Sequence, residues 1–565
     1  MGGKFKLIVA VFFFTLVTVA FAYGQGSSRI RVGPETVLGG ITEEEQSTRQ
    51  AQFFELLSRE VSEEIFDEAL RVELTPLEQA DLASPPAARS GSTPLRVGLV
   101  ASVPPQVHSA GLQRGQIFRQ NERVSGGIFT ETSDGGFIWA AAVSSPGAKA
   151  IRLHLRNFSI PDAAELYFYS PTGEVRGPYK ALGPNGDGEF WTNAVFSETA
   201  ALALRFFGPY SGDDLRNVSF VLTDLGHIGK HFPNSDEQDH TWNHNQCGNA
   251  SCVLDAKCGN LGPAGPAAAA VAKMEWIQGP FIYTCTGGLL ADTDASTQRK
   301  LFLSANHCLS KSNNNLETFF NYTTTSCNGS CPGNPAPHTT GVTKLVSGSQ
   351  GDFTLFELGA GTLPAGAVFL GWNNSPIAFT SGANLYRVSN PNFGPQVYSQ
   401  HQVDTTAVTC TGWPRGQRIY SNDVVGATDG GSSGSPVVNS ASEVVGQLSG
   451  CCGFNCADVC DAASNSTVDG ALAHYWSSVE PFLDPAGGGG GCSSNAECDD
   501  GLFCNGAETC VSNSCQAGSN PCPGQGCNEA SNQCVSCLPS GSSCTANSQC
   551  CSNKCKGPPG NKTCN

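Results

Sequence analysis

Charge is what this sequence has least of. Asp, Glu, Lys and Arg make up 14 % of the 565 residues, well below the roughly 25 % usual for globular domains. The 49 acids outnumber the 32 bases, for a formal charge of −17. With no long Lys/Arg run, this balance excludes nucleic acid and anionic membrane as natural partners. Cysteine is absent before Cys247 although the chain holds 26, so no disulfide scaffold supports the N-terminal part. Past the first two dozen residues no apolar run approaches the ~20 residues of a spanning helix, and no membrane span is expected. βαβ alternation is missing as well, which argues against a doubly wound sheet.

What is present fits export. Residues 1–22 have the parts of a secretory signal: Lys4 and Lys6, an apolar stretch from Leu7 to Phe21, and the cleavage pattern Ala20-Phe21-Ala22. Twelve cysteines fall in 247–460 and fourteen in 492–564. Even counts in two separate blocks indicate disulfides made in an oxidising compartment. No Cys-x2-Cys pair recurs beside a suitable second pair, so no metal is expected, and His240 and His244 near Cys247 read as a solvated junction. The expected protein is secreted and extracellular.

The chain divides by composition. Residues 23–105 read as a pro-segment, acidic and helical around Thr42 to Leu74 (Phe53, Phe54, Leu57, Val61, Ile65 and Leu70 near helical spacing) and broken by Pro85, Pro86 and Pro94. Residues 106–226 read as a β-sandwich-like pro-domain, with alternation at Ile151, Leu153 and Leu155 and at Leu202, Leu204 and Phe206. From 240 to 485, strand-like runs occur at Phe281 to Tyr283, Lys300 to Leu303 and Phe353 to Leu358. A hairpin is expected from Pro436-Val437-Val438 and Val444 to Leu448, and a closing helix from Trp476 to Leu483. The fold class is all-β, a pair of barrels. Residues 486–491 are a glycine linker, followed by a Cys-rich module at 492–534 and another at 535–565. The spacing Cys537-x6-Cys544-x5-Cys550-Cys551-x3-Cys555-x8-Cys564 resembles the knottin family. That resemblance implies Cys537–Cys551, Cys544–Cys555 and Cys550–Cys564.

The chemistry is concentrated in Asp429-Gly430-Gly431-Ser432-Ser433-Gly434-Ser435-Pro436, which holds serine hydroxyls on a tight turn beside free backbone N–H groups. A serine needs a base to take its proton, and the base needs a buried acceptor to fix its tautomer. His307, in Ser304-Ala305-Asn306-His307-Cys308, follows an apolar run. Asp352 precedes the run Phe353 to Leu358. The order is His, Asp, Ser, with steps of 45 and 81 residues.

These motifs resemble the chymotrypsin/trypsin-like serine peptidases, and the lysyl endopeptidase branch most. Ser251 to Cys258, Cys285-Thr286-Gly287-Gly288-Leu289, Ser304 to Cys308, Asp352 to Leu358, Gly431 to Pro436 and Gly446 to Gly450 carry the likeness. It implies two six-stranded barrels with a cleft between them and a protein or peptide as substrate. His307 would be the base, Asp352 its acceptor, Ser433 the nucleophile, and the N–H groups of Gly431 and Ser433 the oxyanion hole. Ser449 would support the acid, and Ser449-Gly450 would pair with the substrate backbone. No cofactor is implied. The implied disulfides are Cys285–Cys308, Cys258–Cys327 and Cys252–Cys456; Cys247, Cys331, Cys410, Cys451, Cys452 and Cys460 are left without assignment.

Two departures matter. Ser432 stands where trypsin has the Asp that pairs with a new N-terminus, a charge the lysyl branch also lacks. Thr467 stands where that branch uses an Asp for specificity, leaving Asp429 and Asp469 as the nearby acids for a pocket; lysine specificity does not follow. Maturation would remove residues up to somewhere in 226–250; Lys230 lies in that range, and Arg216, upstream of it, could also be cut. Two rival readings remain. One is an α/β-hydrolase using Ser432 in G-x-S-x-G, which needs a helix after the serine and a later acid and histidine, yet only His474 follows. The other is a catalytically dead protease-fold binding protein acting through its Cys-rich tail, a candidate for binding a surface or a protein target.

Overall fold

A computed structural model describes residues 29–485, apart from 84–92, 104–121, 125–126, 230–246, 248, 295 and 330–336, and scattered residues between 495 and 564. The expected signal peptide, the glycine linker, Lys230, His240 and His244 lie outside the described residues. Each of the three expected knottin pairings also involves residues outside them. Within the Cys-rich region the described pieces include three short hairpins and the disulfide Cys522–Cys534.

The N-terminal region is built on two sheets, one of them covered by a long helix. The helix Glu43–Glu60 starts where Thr42 and Glu45 form a reciprocal capping box. Strand β1 is Leu95–Ser102, β2 Phe137–Ser144, β3 Ala150–Ser159, β4 Ala164–Tyr169, β5 Thr199–Phe206 and β6 Ser219–Ile228. One sheet is centred on β4-β5-β2 and the other on β3-β6-β1. Alternation along β5 explains the stacking. Leu202, Leu204 and Phe206 fill the core between the sheets, while Ala201 and Ala203 lie under the helix with Leu57. Small residues on that face let the helix approach.

Strand β1 begins inside the segment read from sequence as the preceding pro-segment. It pairs with β6 on one side and, on the other, with the downstream domain, Leu99 opposite Phe281 and Leu95 opposite Thr284. The sandwich and the first barrel therefore share one sheet.

The downstream domain is two closed barrels. Strand β7 is Val271–Gln278, β8 Phe281–Leu289, β9 Leu301–Ala305, β10 Asn313–Phe320, β11 Thr339–Gly348 and β12 Phe353–Gly361. They run in the order β8-β7-β10-β11-β12-β9, and β9 closes back on β8. Strand β13 is Asn384–Ser389, β14 Val397–Val403, β15 Arg418–Val425, β16 Pro436–Val438, β17 Val444–Gly453 and β18 Asn465–Ala471. They run β17-β16-β13-β14-β15-β18, with β18 closing on β17. The expected strands, the β16–β17 hairpin and the closing helix, here Leu472–Leu483, are all present. Leu303 and Leu355 of the first barrel, Val388 and Val438 of the second, and Tyr475 and Val479 of the helix share one core. This core fixes the barrels against each other and so fixes the cleft.

Charge is buried where the sandwich meets the first barrel. Arg152 lies 3.3 Å from Glu317 and donates to the Asn315 carbonyl at 2.9 Å. Lys273 sits among the rings of Phe196, Phe319, Tyr322 and Phe393, and burial pushes its ammonium down to about 7.

Candidate active site

His307 follows the end of β9, and its loop is tied to β8 by the disulfide Cys285–Cys308. Asp352 immediately precedes β12 in a left-handed conformation, φ +54°. The surroundings offset the cost of that conformation: Asn306 N–H and Gln447 Nε2 donate to the Asp352 carbonyl at 3.0 and 2.8 Å. Tyr475 Oη in turn donates to Gln447 Oε1, so the second barrel and the closing helix hold the acid's backbone. The carboxylate meets the histidine twice. His307 N–H donates to Oδ1 at 2.9 Å, and Nδ1 lies 2.8 Å from Oδ2. With its hydrogen directed at the carboxylate from Nδ1, the ring offers Nε2 as a lone pair.

The serine turn is gripped by both barrels. Thr286 N–H donates to the Ser433 carbonyl at 2.9 Å, and Gly434 N–H donates to Leu448 O at 2.8 Å. The Cys308 sulfur is 3.7 Å from that same Ser433 carbonyl, which sets Ser433 against the histidine loop. Gly434 has φ +83°, and a Cβ there would lie 2.2 Å from Ser304 Oγ. Only glycine fits. Ser433 is partly exposed, whereas Ser432 is fully buried and accepts from Ser389 Oγ at 3.0 Å. A strand follows the turn, and the sheets are barrels with no helix after the serine. The rival α/β-hydrolase reading with Ser432 as nucleophile, which needs a helix directly after the serine, does not fit this fold.

Among the described residues, no hydrogen bond occupies the N–H of Gly431 or Ser433. Ser449 is buried, but its Oγ has no hydrogen-bond partner among the described residues; the residue bracing the acid is Gln447. A pocket at Ser433 is lined by Gly430, Gly431, Gly450, Thr467 and by Thr93, Pro94 and Leu95 of the N-terminal region. Asp423, Asp429, Asp458 and Asp461 also line it, and among the described residues no Lys, Arg or His does. The Asp429 carboxylate accepts from Gly430 N–H on its own loop and from Asn392 Nδ2 on the turn Pro391–Phe393. Asp469 is buried against Arg387 instead.

Asp423 was not among the acids that sequence reasoning singled out. One of its oxygens, Oδ1, accepts from Thr467 Oγ1 at 2.7 Å and faces His401 Nδ1 at 2.7 Å. His401 is fully buried, and its Nε2 lies 2.8 Å from Ser399 Oγ. Burial alone would raise the Asp423 carboxyl. The charge and hydrogen bond of His401, the Thr467 hydroxyl and the Arg387 charge outweigh it and hold the carboxyl below the usual range. Thr467 is thus the donor to the acid of the pocket. Nothing in the sequence marks Asp423; a strand residue gains this role only when β15 and β18 lie side by side.

Cys285–Cys308 and Cys258–Cys327 are bonded. The expected Cys252–Cys456 pair is corrected: Cys252 bonds Cys460, Cys456 bonds Cys451, and Cys410 bonds Cys452. A Cys451–Cys456 bond closes a short loop within one strand end and leaves Cys460 to reach Cys252. Among the described residues, Cys285, His307 and Cys308 cluster closely enough to suggest a metal site, but both sulfurs are committed to the disulfide.

Residues 248–467 match the family model of the lysyl endopeptidase C-terminal domain. The lysyl endopeptidase of Pseudomonas aeruginosa is 28 % identical over 400 residues, spanning 66 % of this chain and 78 % of that protein. The resemblance to this branch of peptidases therefore extends beyond the motifs. Among solved structures, the Rv3671c protease in its inactive form is 14 % identical, with TM-score 0.27, over 40 % of this chain and 96 % of that one. The HtrA-type protease AlgW with a tripeptide is 13 % identical, with TM-score 0.28, over 40 % of this chain and 64 % of that one.

Proposed function

We propose that this chain is a secreted serine endopeptidase, made as a preproenzyme, which hydrolyses peptide bonds through an acyl-enzyme on Ser433 and accepts a cationic side chain in the adjoining pocket. The observation that carries the reading is the His307–Asp352 pair beside a partly exposed serine on a turn with unoccupied amides. In this mechanism His307 Nε2 takes the Ser433 hydroxyl proton as Oγ attacks the substrate carbonyl, and Asp352 stabilises the imidazolium without taking the proton. The oxyanion is met by the N–H groups of Gly431 and Ser433, each such donor contributing roughly 3–4 kcal/mol to the barrier reduction. The imidazolium then protonates the leaving amine, and water attacks the ester by the same route in reverse. Ser449 and Gly450, in β17 just past the stretch paired with β16, are proposed to pair with the substrate backbone.

The pocket supports the substrate class. Asp423 presents a carboxylate held in its charged form, in a wall of acids with no cation among the described residues, which suits the side chain of lysine or arginine before the scissile bond. The lysyl endopeptidase relative agrees with that choice. The N-terminal region is proposed to be removed on maturation, and the Cys-rich tail, including the knottin-like module, to target or stabilise the enzyme.

Two assays test this. Ser433→Ala should abolish peptidase activity; an active Ser433→Ala protein beside an inactive Ser432→Ala protein would overturn the assignment. A peptide library should be cut after lysine or arginine, and cleavage indifferent to that residue would remove the pocket reading while leaving the triad.

A further inference from the structure

If Ser433 is the nucleophile, as proposed above, one peptide bond must face the right way. The C=O and N–H of a planar trans peptide point in opposite directions. The N–H of Gly431 shares its plane with the Gly430 carbonyl, so whatever holds that carbonyl also aims the oxyanion donor. Flanked by glycines, this plane has little intrinsic resistance to turning over.

In this chain the Gly430 carbonyl accepts a hydrogen bond from Asn392 N–H at 2.6 Å. The next two carbonyls are also engaged: Gly431 O accepts from Thr286 Oγ1 at 2.8 Å, and Ser432 O from Ser435 N–H at 3.0 Å. Thr286 Oγ1 itself accepts from Asn390 N–H at 3.0 Å. Three successive planes are thus pinned, the first of them from the turn Pro391–Phe393.

That turn is built for the task. Asn392 has φ +53°, a left-handed conformation that asparagine tolerates better than most residues. Its Nδ2 donates to Asp429 Oδ2 at 2.9 Å and to Asn249 Oδ1 at 3.1 Å. Phe393, φ +69°, lies under the Lys273 ammonium, 3.6 Å from its ring centroid. The approach is close: a Cβ on Gly431 would lie 3.0 Å from Asn392 N.

We infer that Asn392 is a positioning residue for the oxyanion site, locking the Gly430–Gly431 peptide so that Gly431 N–H faces the cleft. Ser432, neutral and bonded to Ser389, offers no charge for a new N-terminus to pair with. The lock is already closed with the N-terminal region still attached, so this site is set before any processing.

The test is steady-state kinetics on Asn392→Ala and Asn392→Gly enzymes, expressed as the full chain. Alanine disfavours the left-handed conformation and drops both side-chain bonds. Since losing one oxyanion donor costs ~10²–10³-fold in kcat, kcat should fall about 30–100-fold with KM within about 3-fold of wild type. Glycine accepts the conformation and keeps the backbone N–H, so Asn392→Gly should recover about 10-fold or more of the lost kcat. Should the alanine variant not fold, Thr286→Val, which removes the hydroxyl holding the next carbonyl, should lower kcat about 10-fold at unchanged KM. Unchanged kcat in Asn392→Ala, or loss expressed only in KM, would overturn the inference. Ser433→Ala measured alongside separates the two claims: if it stays active the triad reading fails, and if it is dead while Asn392→Ala works normally only the lock fails.

Discussion

Asp352–His307 and Asp423–His401 are chemically the same pair, each with a carboxylate oxygen 2.8 or 2.7 Å from an imidazole Nδ1. They differ in which partner is turned to the cleft. In the first, the acid is buried behind the histidine, and the histidine loop lies against Ser433. In the second, the histidine is sealed inside the barrel with its Nε2 on Ser399, and the acid reaches the pocket wall. His307 Nε2 faces the disulfide sulfur of Cys308 at 3.8 Å, a weak neighbour that leaves it able to move a proton. A histidine with both nitrogens engaged can only orient and polarise the carboxylate beside it. Under the proposed reading, orientation within the fold, not residue type, separates a catalytic pair from a binding pair.

The comparison breaks most visibly if the acids are neutralised in turn. Asp352→Asn should lower kcat by ~10⁴-fold by leaving the histidine in the wrong tautomer, with KM little changed. Asp423→Asn should instead lower kcat/KM for lysine- and arginine-containing substrates ~10²–10³-fold and leave neutral substrates untouched. Equal effects on both substrate classes, measured with matched fluorogenic peptides, would erase the distinction. A smaller effect is expected from the second histidine: His401→Gln should raise KM for basic substrates about 10-fold while kcat holds.

The two histidines also differ in what anchors them. The His307 loop depends on Cys285–Cys308, which closes 23 residues. Replacing both cysteines with alanine should cost about 3 kcal/mol in unfolding free energy, together with activity, whereas His401 sits inside a strand and has no such dependence. Denaturant unfolding with an activity readout checks this.

His338 gives the mildest prediction. Burial pushes its ring down to about 4 from the ordinary 6.5, and Nδ1 accepts from Phe320 N–H. A neutral ring in the fold and a protonated one in the unfolded chain mean the stabilisation is complete above pH 6.5. It is lost as pH falls towards 4, amounting to about 3 kcal/mol in all. His338→Asn, which keeps an acceptor but does not titrate, should flatten unfolding free energy against pH across that window.

The sequence carried the triad candidates because their chemistry requires particular neighbours. His307 ends one strand, Asp352 starts another, and Ser433 needs glycines, all visible locally. The alternation at Leu202, Leu204 and Phe206 likewise announced a sandwich strand, whereas the burial of its Ala201–Ala203 face under a helix became visible only in the fold. Asp423 left no such mark: its role depends on Thr467 and His401, brought beside it by β18 and β14, and pairing across a closed barrel is not written in spacing. Asn392 was hidden for the same reason, since its partner is a backbone carbonyl in another loop. The Cys252–Cys456 expectation failed where Cys451, Cys452, Cys456 and Cys460 crowd one loop, so that chain geometry rather than order decides the partner.

The most direct test is labelling by a serine-directed fluorophosphonate, followed by mapping of the modified residue in wild type, His307→Ala and His401→Ala. Label on Ser433, lost in His307→Ala and retained in His401→Ala, is the predicted result. Label on another serine, or equal labelling in both variants, would contradict the assignment of the two pairs.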